Sequence, residues 1–274
     1  MNNSFTFSVL MTLYRTENPE YLDHCLSSIH SQSLFPNEII LVQEGELTEK
    51  LKDTLSIWQA KFKDLLKIIS VSDGTGFPGS LNEGLKNCRY EYIARMDTDD
   101  ECVNDRFEKQ IFFFKNNSNV DLVGSNIDEY DNNLINFLHK RNVPERHEDI
   151  LKYAKFRCPF NHMTVMYKRK KVLNLDGYPS LQRNEDYALW TMFLQAGYNT
   201  ANIQDSLVKA RTGSNFIKRR SGLKYLKGEI DSMIFIYQNG FYNFGVFLIN
   251  LVIRITIRLS PRILVKYIYR NFLR

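Results

Sequence analysis

The 274-residue chain has no acidic residue after Asp231, no paired cysteine spacing, no internal repeat and no low-complexity linker. Each absence removes a class of protein. Cys25, Cys88, Cys102 and Cys158 lie far apart, which excludes metal knuckles and dithiol redox motifs and leaves reduced thiols in the core or at the surface. No opening stretch joins basic residues, an apolar run and a small-residue cleavage site, so the expectation is a cytoplasmic or cytoplasm-facing protein. The longest apolar run, 244–253, is interrupted only by Asn250 and is too short to span a bilayer. With no repeat and no linker, the chain up to about Thr212 reads as one two-part domain with a tail appended.

What is present fits a globular protein. Hydrophobic residues make up 43% and aromatics 13%, enough to bury a sizeable core in one large or two small domains. The net charge of +5 is unevenly spread. Arg254, Arg258, Arg262, Lys266, Arg270 and Arg274 account for more than all of it, leaving a near-neutral body. A basic skin over the whole chain would point to nucleic acid; a near-neutral body with a basic, apolar tail points to an anionic membrane surface.

Short β-rich runs alternate with amphipathic stretches at 7–13, 21–29, 38–42, 47–62 and 66–71, the signature of βαβ units around a parallel sheet. A helix expected over 80–88 leads into an apolar strand over 90–96, which ends in Asp97, Asp99, Asp100 and Glu101. Open α/β sheets bind ligands beyond the carboxyl ends of their strands, so the acidic cluster stands where chemistry is expected. The second half predicts a helix over 106–115, strands over 122–127 and 163–167, and a helix over 184–195 closed by Gly197.

Asp97-Thr98-Asp99-Asp100 sets carboxylates two residues apart just past a strand, so Asp97 and Asp99 can share one side of an extended backbone. Such a pair suits Mg2+ or Mn2+, which proteins hold with one or two carboxylates while substrate diphosphate oxygens complete the shell. Taken alone, the same acids read equally well as a solvated turn ahead of the helix at Arg106. Glu185-Asp186 has two readings as well: acids favoured at a helix N-terminus, or the carboxylate base that an acceptor hydroxyl needs.

Five segments in order change that balance: Ser8-Val9-Leu10-Met11-Thr12-Leu13-Tyr14, Leu26-Ser27-Ser28-Ile29-His30-Ser31-Gln32, Glu38-Ile39-Ile40-Leu41-Val42-Gln43-Glu44-Gly45, Gly79-Ser80-Leu81-Asn82-Glu83-Gly84-Leu85 and Tyr92-Ile93-Ala94-Arg95-Met96-Asp97-Thr98-Asp99-Asp100. With these the chain resembles the family-2 glycosyltransferases of GT-A fold. The resemblance implies a Rossmann-like, mostly parallel sheet flanked by helices, with a nucleotide-binding half at about 1–101 and an acceptor-binding half at about 102–212. It implies that Asp99 binds a divalent cation on the donor diphosphate and that Asp97 lies against the ribose and metal shell. Glu44 would take the uracil N3–H, where Asp is commoner in the family, and Gln43 also departs from the usual acid. Thr12, Tyr14, Gly74 and Asn82 would complete the base and ribose pocket, with Arg95 on a phosphate or sugar oxygen. Asp186 falls on the family's general base and Glu185 on a ligand for the acceptor hydroxyl or sugar. His162, Tyr178 and Trp190 fall on the acceptor side, although Trp190 also belongs to the apolar stripe of its helix, where core packing is the usual fate.

The tail, 213–274, reads as a helical, amphipathic, membrane-associating segment. Its cations recur every four residues, and Ser260-Pro261 offers an N-cap with proline in the first turn, so two helices are expected to meet near Ser260. Ile263, Leu264, Ile268 and Phe272 fall opposite the cations, the pattern of an interfacial helix on anionic lipid. The alternative is a helix packed on the body with its cations in water. Together these readings predict an inverting, metal-dependent transferase that moves a hexose, galactose or glucose, from a UDP-sugar to a lipid-linked acceptor. The acceptor expected is undecaprenyl-diphosphate-linked N-acetylhexosamine, in O-antigen or capsule synthesis, at the inner face of the cell membrane. Two rivals stand beside this: a nucleotidyltransferase on a related fold, against which the chain lacks a glycine-rich, basic triphosphate loop, and a non-catalytic membrane-bound sugar-nucleotide-binding module.

Overall fold

The computed structural model describes residues 5–212 and 222–260. The apolar runs of the first half become strands, all but the edge one buried. β1 (Phe7–Tyr14), β2 (Glu38–Glu44), β3 (Leu66–Val71) and β4 (Tyr92–Arg95) lie parallel in the order β3-β2-β1-β4. β5 (Glu101–Cys102), β6 (Leu122–Tyr130), β7 (Phe137–Arg141), β8 (Met166–Lys168) and β9 (Thr200–Arg211) extend the sheet as β4-β8-β6-β9-β5, with β7 hydrogen-bonded to β6. Here the pairing is antiparallel except between β6 and β9.

The sheet separates two apolar cores. β1 serves both, with Val9, Met11 and Leu13 in one and Leu10 in the other, as the two-residue period of a strand requires. α1 (Pro19–His30), α2 (Glu49–Phe62) and α4 (Arg106–Asn116) cover the first face; α3 (Gly76–Asn87), α5 (His147–Tyr153), α6 (Arg169–Leu173) and α7 (Glu185–Gln195) cover the second. α1 starts where Asn18 accepts the Glu20 N–H at 2.8 Å and Pro19 fills the first turn. α3 starts four residues before the expected position, because Pro78 falls in its first turn, where a missing N–H costs no helical bond. Gly84 lets α3 lie directly on the sheet: a Cβ there would come within 2.4 Å of Leu10 Cδ1 and 2.7 Å of Val42 Cγ2. The strand expected over 163–167 is shorter and later, since a single 3-10 turn at His162–Thr164 precedes β8.

Two further helices, α8 (Leu223–Gln238) and α9 (Phe244–Leu259), follow. Ile236, Phe241 and Tyr242 are buried in the second core, so this segment starts inside the same core as the body. α9 is built inside out. Asn250 donates to the Lys155 carbonyl at 2.8 Å and Arg254 to the Phe156 carbonyl at 3.2 Å, both toward the body, and Arg258 pairs with Glu229 of α8 at 2.6 Å. Phe244, Leu248, Ile249, Val252 and Ile253, at helical spacing on the other side, are exposed. Two of the six cations expected at a lipid surface are therefore turned inward. Ser260 ends α9, and the basic helix expected beyond Pro261 lies outside the described residues. Among the described residues no helix is long and apolar enough to cross a membrane.

Candidate active site

Asp97, Asp99 and Asp100 follow the end of β4 beside the last residues of β1, and one carboxylate oxygen from each lies within 4.8 Å of the others. The turn is locked on both sides. Thr98 Oγ1 donates toward the Thr12 carbonyl, 3.2 Å away, and lies 3.2 Å from a Glu17 carboxylate oxygen. Asp100, buried, accepts the Arg211 N–H at 2.8 Å, and the Arg211 guanidinium donates to the Asp99 carbonyl and, at 2.9 Å, to the Asn132 carbonyl. Burial pushes Asp99 up to about 7, with the charges of Asp97 and Glu17 adding to it; burial and then Asp99 and Asp97 raise Asp100 well above the carboxylate range. Carboxylates that crowd one another this way fit a divalent cation, whose charge relieves the crowding and whose preferred ligands are oxygens.

Arg95, at the end of β4, is 1% exposed and pairs with Asp97 at 2.5 Å. Burial opposes its charge, but Asp97 more than restores it, so the guanidinium is held protonated above its ordinary range. Its Nε and Nη1 have no hydrogen-bond partner among the described residues, and the guanidinium carbon lies 5.3 Å from the Phe77 ring centroid. The same charge bears on Asp99, Asp100, His162 and Glu185, so the cation stands between the two acidic groups of the site.

Glu185 and Asp186 open α7, and a left-handed Asn184 (φ 54°) turns the chain into the helix. Asp186 Oδ1 accepts the Tyr187 N–H at 2.7 Å. Glu185 is pushed up to about 7, by burial first and by Asp186 second. Glu185 and Asp186 line a single cleft of about 530 Å³ together with Asp97, Asp99, Asp100, His162, Arg211 and Tyr225. The fold thus joins two motifs nearly ninety residues apart in sequence. His162 reaches the cleft wall with Nε2 3.1 Å from the Tyr178 hydroxyl, and burial plus the Arg95 charge hold its imidazole well below the ordinary range, so it is neutral at pH 7. The other two residues expected on the acceptor side, Tyr178 and Trp190, are buried. Trp190 has no exposed surface and packs among Phe160, His162, Tyr167, Tyr178 and Phe193, while Tyr178 is buried beside it.

Of the residues expected at the nucleotide, Tyr14 and Glu44 are register partners at the ends of β1 and β2. Glu44 accepts Gly74 N–H at 3.2 Å and Ser80 Oγ–H at 2.9 Å, tying β2 to the loop before α3. Thr12 presents its carbonyl to Thr98, and Tyr14, its hydroxyl pushed up to about 12 by burial, lies 6.4 Å from Phe77. Asn82 is differently employed. Its amide accepts Tyr178 N–H at 2.7 Å and donates to the Tyr178 carbonyl at 2.8 Å, so it bridges the two halves of the chain. Gly177 makes room for that bridge, since a Cβ there would stand 2.3 Å from Asn82 Oδ1. Glu17, Arg211 and Tyr225 carry no sequence signal of their own. Each reaches the site through a partner distant in the chain.

A sheet of this order, an Asp turn at the carboxyl end of its central strands and an acidic pair opening the facing helix define a nucleotide-sugar transferase of GT-A fold. Residues 8–175 match the model of glycosyl transferase family 2, and the chain belongs to that family. It is 39% identical, over 98% of its length and 99% of the relative's, to an uncharacterized glycosyltransferase of Haemophilus influenzae. It is 34% identical, over 98% of its length and 96% of the relative's, to UDP-Gal:alpha-D-GlcNAc-diphosphoundecaprenol beta-1,3-galactosyltransferase of Escherichia coli. Among solved structures it resembles S. aureus TarS, with a TM-score of 0.66 and 16% identity over 98% of this chain and 46% of that one. It also resembles the mannosyltransferase PcManGT of Pyrobaculum calidifontis in complex with GDP-Man and Mn2+, with a TM-score of 0.65 and 16% identity over 93% of this chain and 70% of that one.

Proposed function

We propose that the chain is an inverting hexosyltransferase that moves galactose or glucose from a UDP-sugar onto N-acetylhexosamine carried by undecaprenyl diphosphate, in O-antigen or capsular polysaccharide synthesis. The observation that carries the reading is the single cleft lined by both the Asp turn and the Glu185–Asp186 pair. Asp99, with Asp97 beside it, would hold Mn2+ or Mg2+, which when bound neutralises the charge gathering on the departing diphosphate. Arg95 would offer the N–H groups of its two unspent nitrogens, Nε and Nη1, to phosphate or sugar oxygens in a site that water scarcely reaches. Asp186 takes the proton of the acceptor hydroxyl, and Glu185 orients that hydroxyl. The acceptor oxygen then bonds to the anomeric carbon, the bond from that carbon to the diphosphate oxygen breaks, and UDP leaves. In-line attack turns an α-linked donor into a β-linked product.

The galactosyltransferase of Escherichia coli, by its name, acts on such a lipid-linked acceptor. The inside-out α9 supports the same acceptor class here. An outward face made of Phe244, Leu248, Ile249, Val252 and Ile253 suits the acyl boundary of a bilayer, and the sequence of 261–274 has four cations and no acid, a composition that suits anionic headgroups. The protein would then rest on the inner face of the cell membrane, beside its substrate. UDP release with a panel of UDP-sugars and a short-chain GlcNAc-diphosphate lipid, with Mn2+ and with chelator, tests the proposal. Metal-dependent release is expected. Full turnover in chelator would sink the metal, and UDP binding without release from any donor would leave a binding module.

A further inference from the structure

The turn that carries Glu185 and Asp186 is held from outside. Asn184, in its unfavourable left-handed backbone, does not cap α7; its side chain instead donates outward to Ser232 Oγ at 3.2 Å. Just before it, Arg183 lies over the Tyr225 ring at 4.8 Å and packs on Gly228, where a Cβ would come within 2.6 Å of its Cγ. Just after the acidic pair, Tyr187 donates its hydroxyl proton to the Ala154 carbonyl at 2.7 Å and meets the Tyr242 hydroxyl at 2.6 Å. A hydroxyl has one proton, so Tyr242 is the donor in that second bond. Tyr225, Gly228, Ser232 and Tyr242 all belong to α8 or the turn after it, and all are buried. α9 fixes α8 in turn through the two-bond ion pair of Arg258 with Glu229, at 2.6 and 2.8 Å.

We infer that α8 and the turn after it form a clamp that aims Glu185 and Asp186 into the cleft, and that Tyr242 is a positioning residue acting on the reaction through Asp186. The inference rests on the proposed role of Asp186. The link is short: Tyr242 fixes the Tyr187 ring, and the Tyr187 N–H binds the Asp186 carboxylate at 2.7 Å. A base displaced by a fraction of an ångström loses rate steeply, whereas Asp97 and Asp99, in the turn after β4, and Glu44, on β2, stand apart from α7 and keep their hold on the donor.

The test compares four full-length proteins by UDP release in the presence of acceptor: wild type, Tyr242→Phe, Asp186→Asn and the double variant. Tyr242→Phe is expected to lower kcat about tenfold with the donor KM within about twofold. Asp186→Asn lowers kcat at least 10²-fold, and the double variant is no slower than Asp186→Asn alone, because the clamp has nothing left to aim. Losses that multiply in the double variant, a donor KM that rises in step with the loss, or an unchanged kcat in Tyr242→Phe would each overturn the clamp. Wild-type turnover in Asp186→Asn would instead remove the base itself, and the inference with it. Should Tyr242→Phe fold poorly, Ser232→Ala loosens the turn from its other end and is expected to show the same pattern.

Discussion

Behind the cleft, paired with Asp97, stands a buried cation with unspent N–H donors, and the carboxylates that line the cleft crowd one another. Asp99 is the carboxylate best placed to trade that crowding for a metal. Asp99→Asn keeps the shape of the side chain and removes its charge, so Mn2+-dependent UDP binding should disappear in calorimetry while the fold, read by circular dichroism, is unchanged; binding that persists counts against Asp99 as ligand. The raised carboxyls also set a pH dependence. Glu185 and Asp99 stand at about 7 in the folded chain, above the ordinary carboxylate value, so the folded state favours their protonated forms. That contribution is whole at acid pH, below the unfolded value, and is lost as pH rises through about 7. In chelator the thermal midpoint should therefore fall between pH 5 and 8, and Glu185→Gln should flatten the fall. A level profile for the wild type speaks against the crowding. Added Mn2+ should raise the midpoint most at the alkaline end, where its ligands are already ionised.

Elements that bury their apolar residues in a simple period were legible in the sequence, and elements whose partners lie far away were not. β1, β2 and β4 show as apolar runs, and α7 shows by its stripe and closing Gly197. β9 did not show: its polar centre, Gln204-Asp205-Ser206, breaks any alternation, and its register against β6 shifts there. In α9 the sequence displays cations every four residues but cannot say which face turns inward. Glu229, on another helix, decides that. Two predictions belong at this scale. Gly84→Val forces α3 away from Leu10 and Val42 and should cost about 1–3 kcal/mol in urea denaturation. Leu248→Glu with Val252→Glu should release the protein from anionic vesicles while UDP release with a short, water-soluble acceptor continues; undiminished sedimentation with vesicles would mean the face serves something else. Wild-type binding should survive raised salt in part, since the apolar face is not screened.

In the molecule as a whole the Asp turn and the Glu185–Asp186 pair meet at one cleft, and the Asn82 to Tyr178 bridge ties together segments far apart in the chain. The Asp turn and the acidic pair were both legible, because each is a local spacing beside a recognisable element. Their convergence, and the hold of Arg211 and α8 upon them, depends on contacts that no local pattern records. The burial of Trp190 has a practical consequence. The chain has two tryptophans, and they fall in different cores: Trp58 on α2, bonded to Asp23, and Trp190 on α7, with its ring centroid 6.1 Å from that of His162 at the cleft wall. A Trp58→Phe protein would carry one tryptophan, excitable apart from the tyrosines at the red edge, buried and a single ring away from the cleft. Its emission would follow occupancy of the cleft in real time, without a label and without turnover.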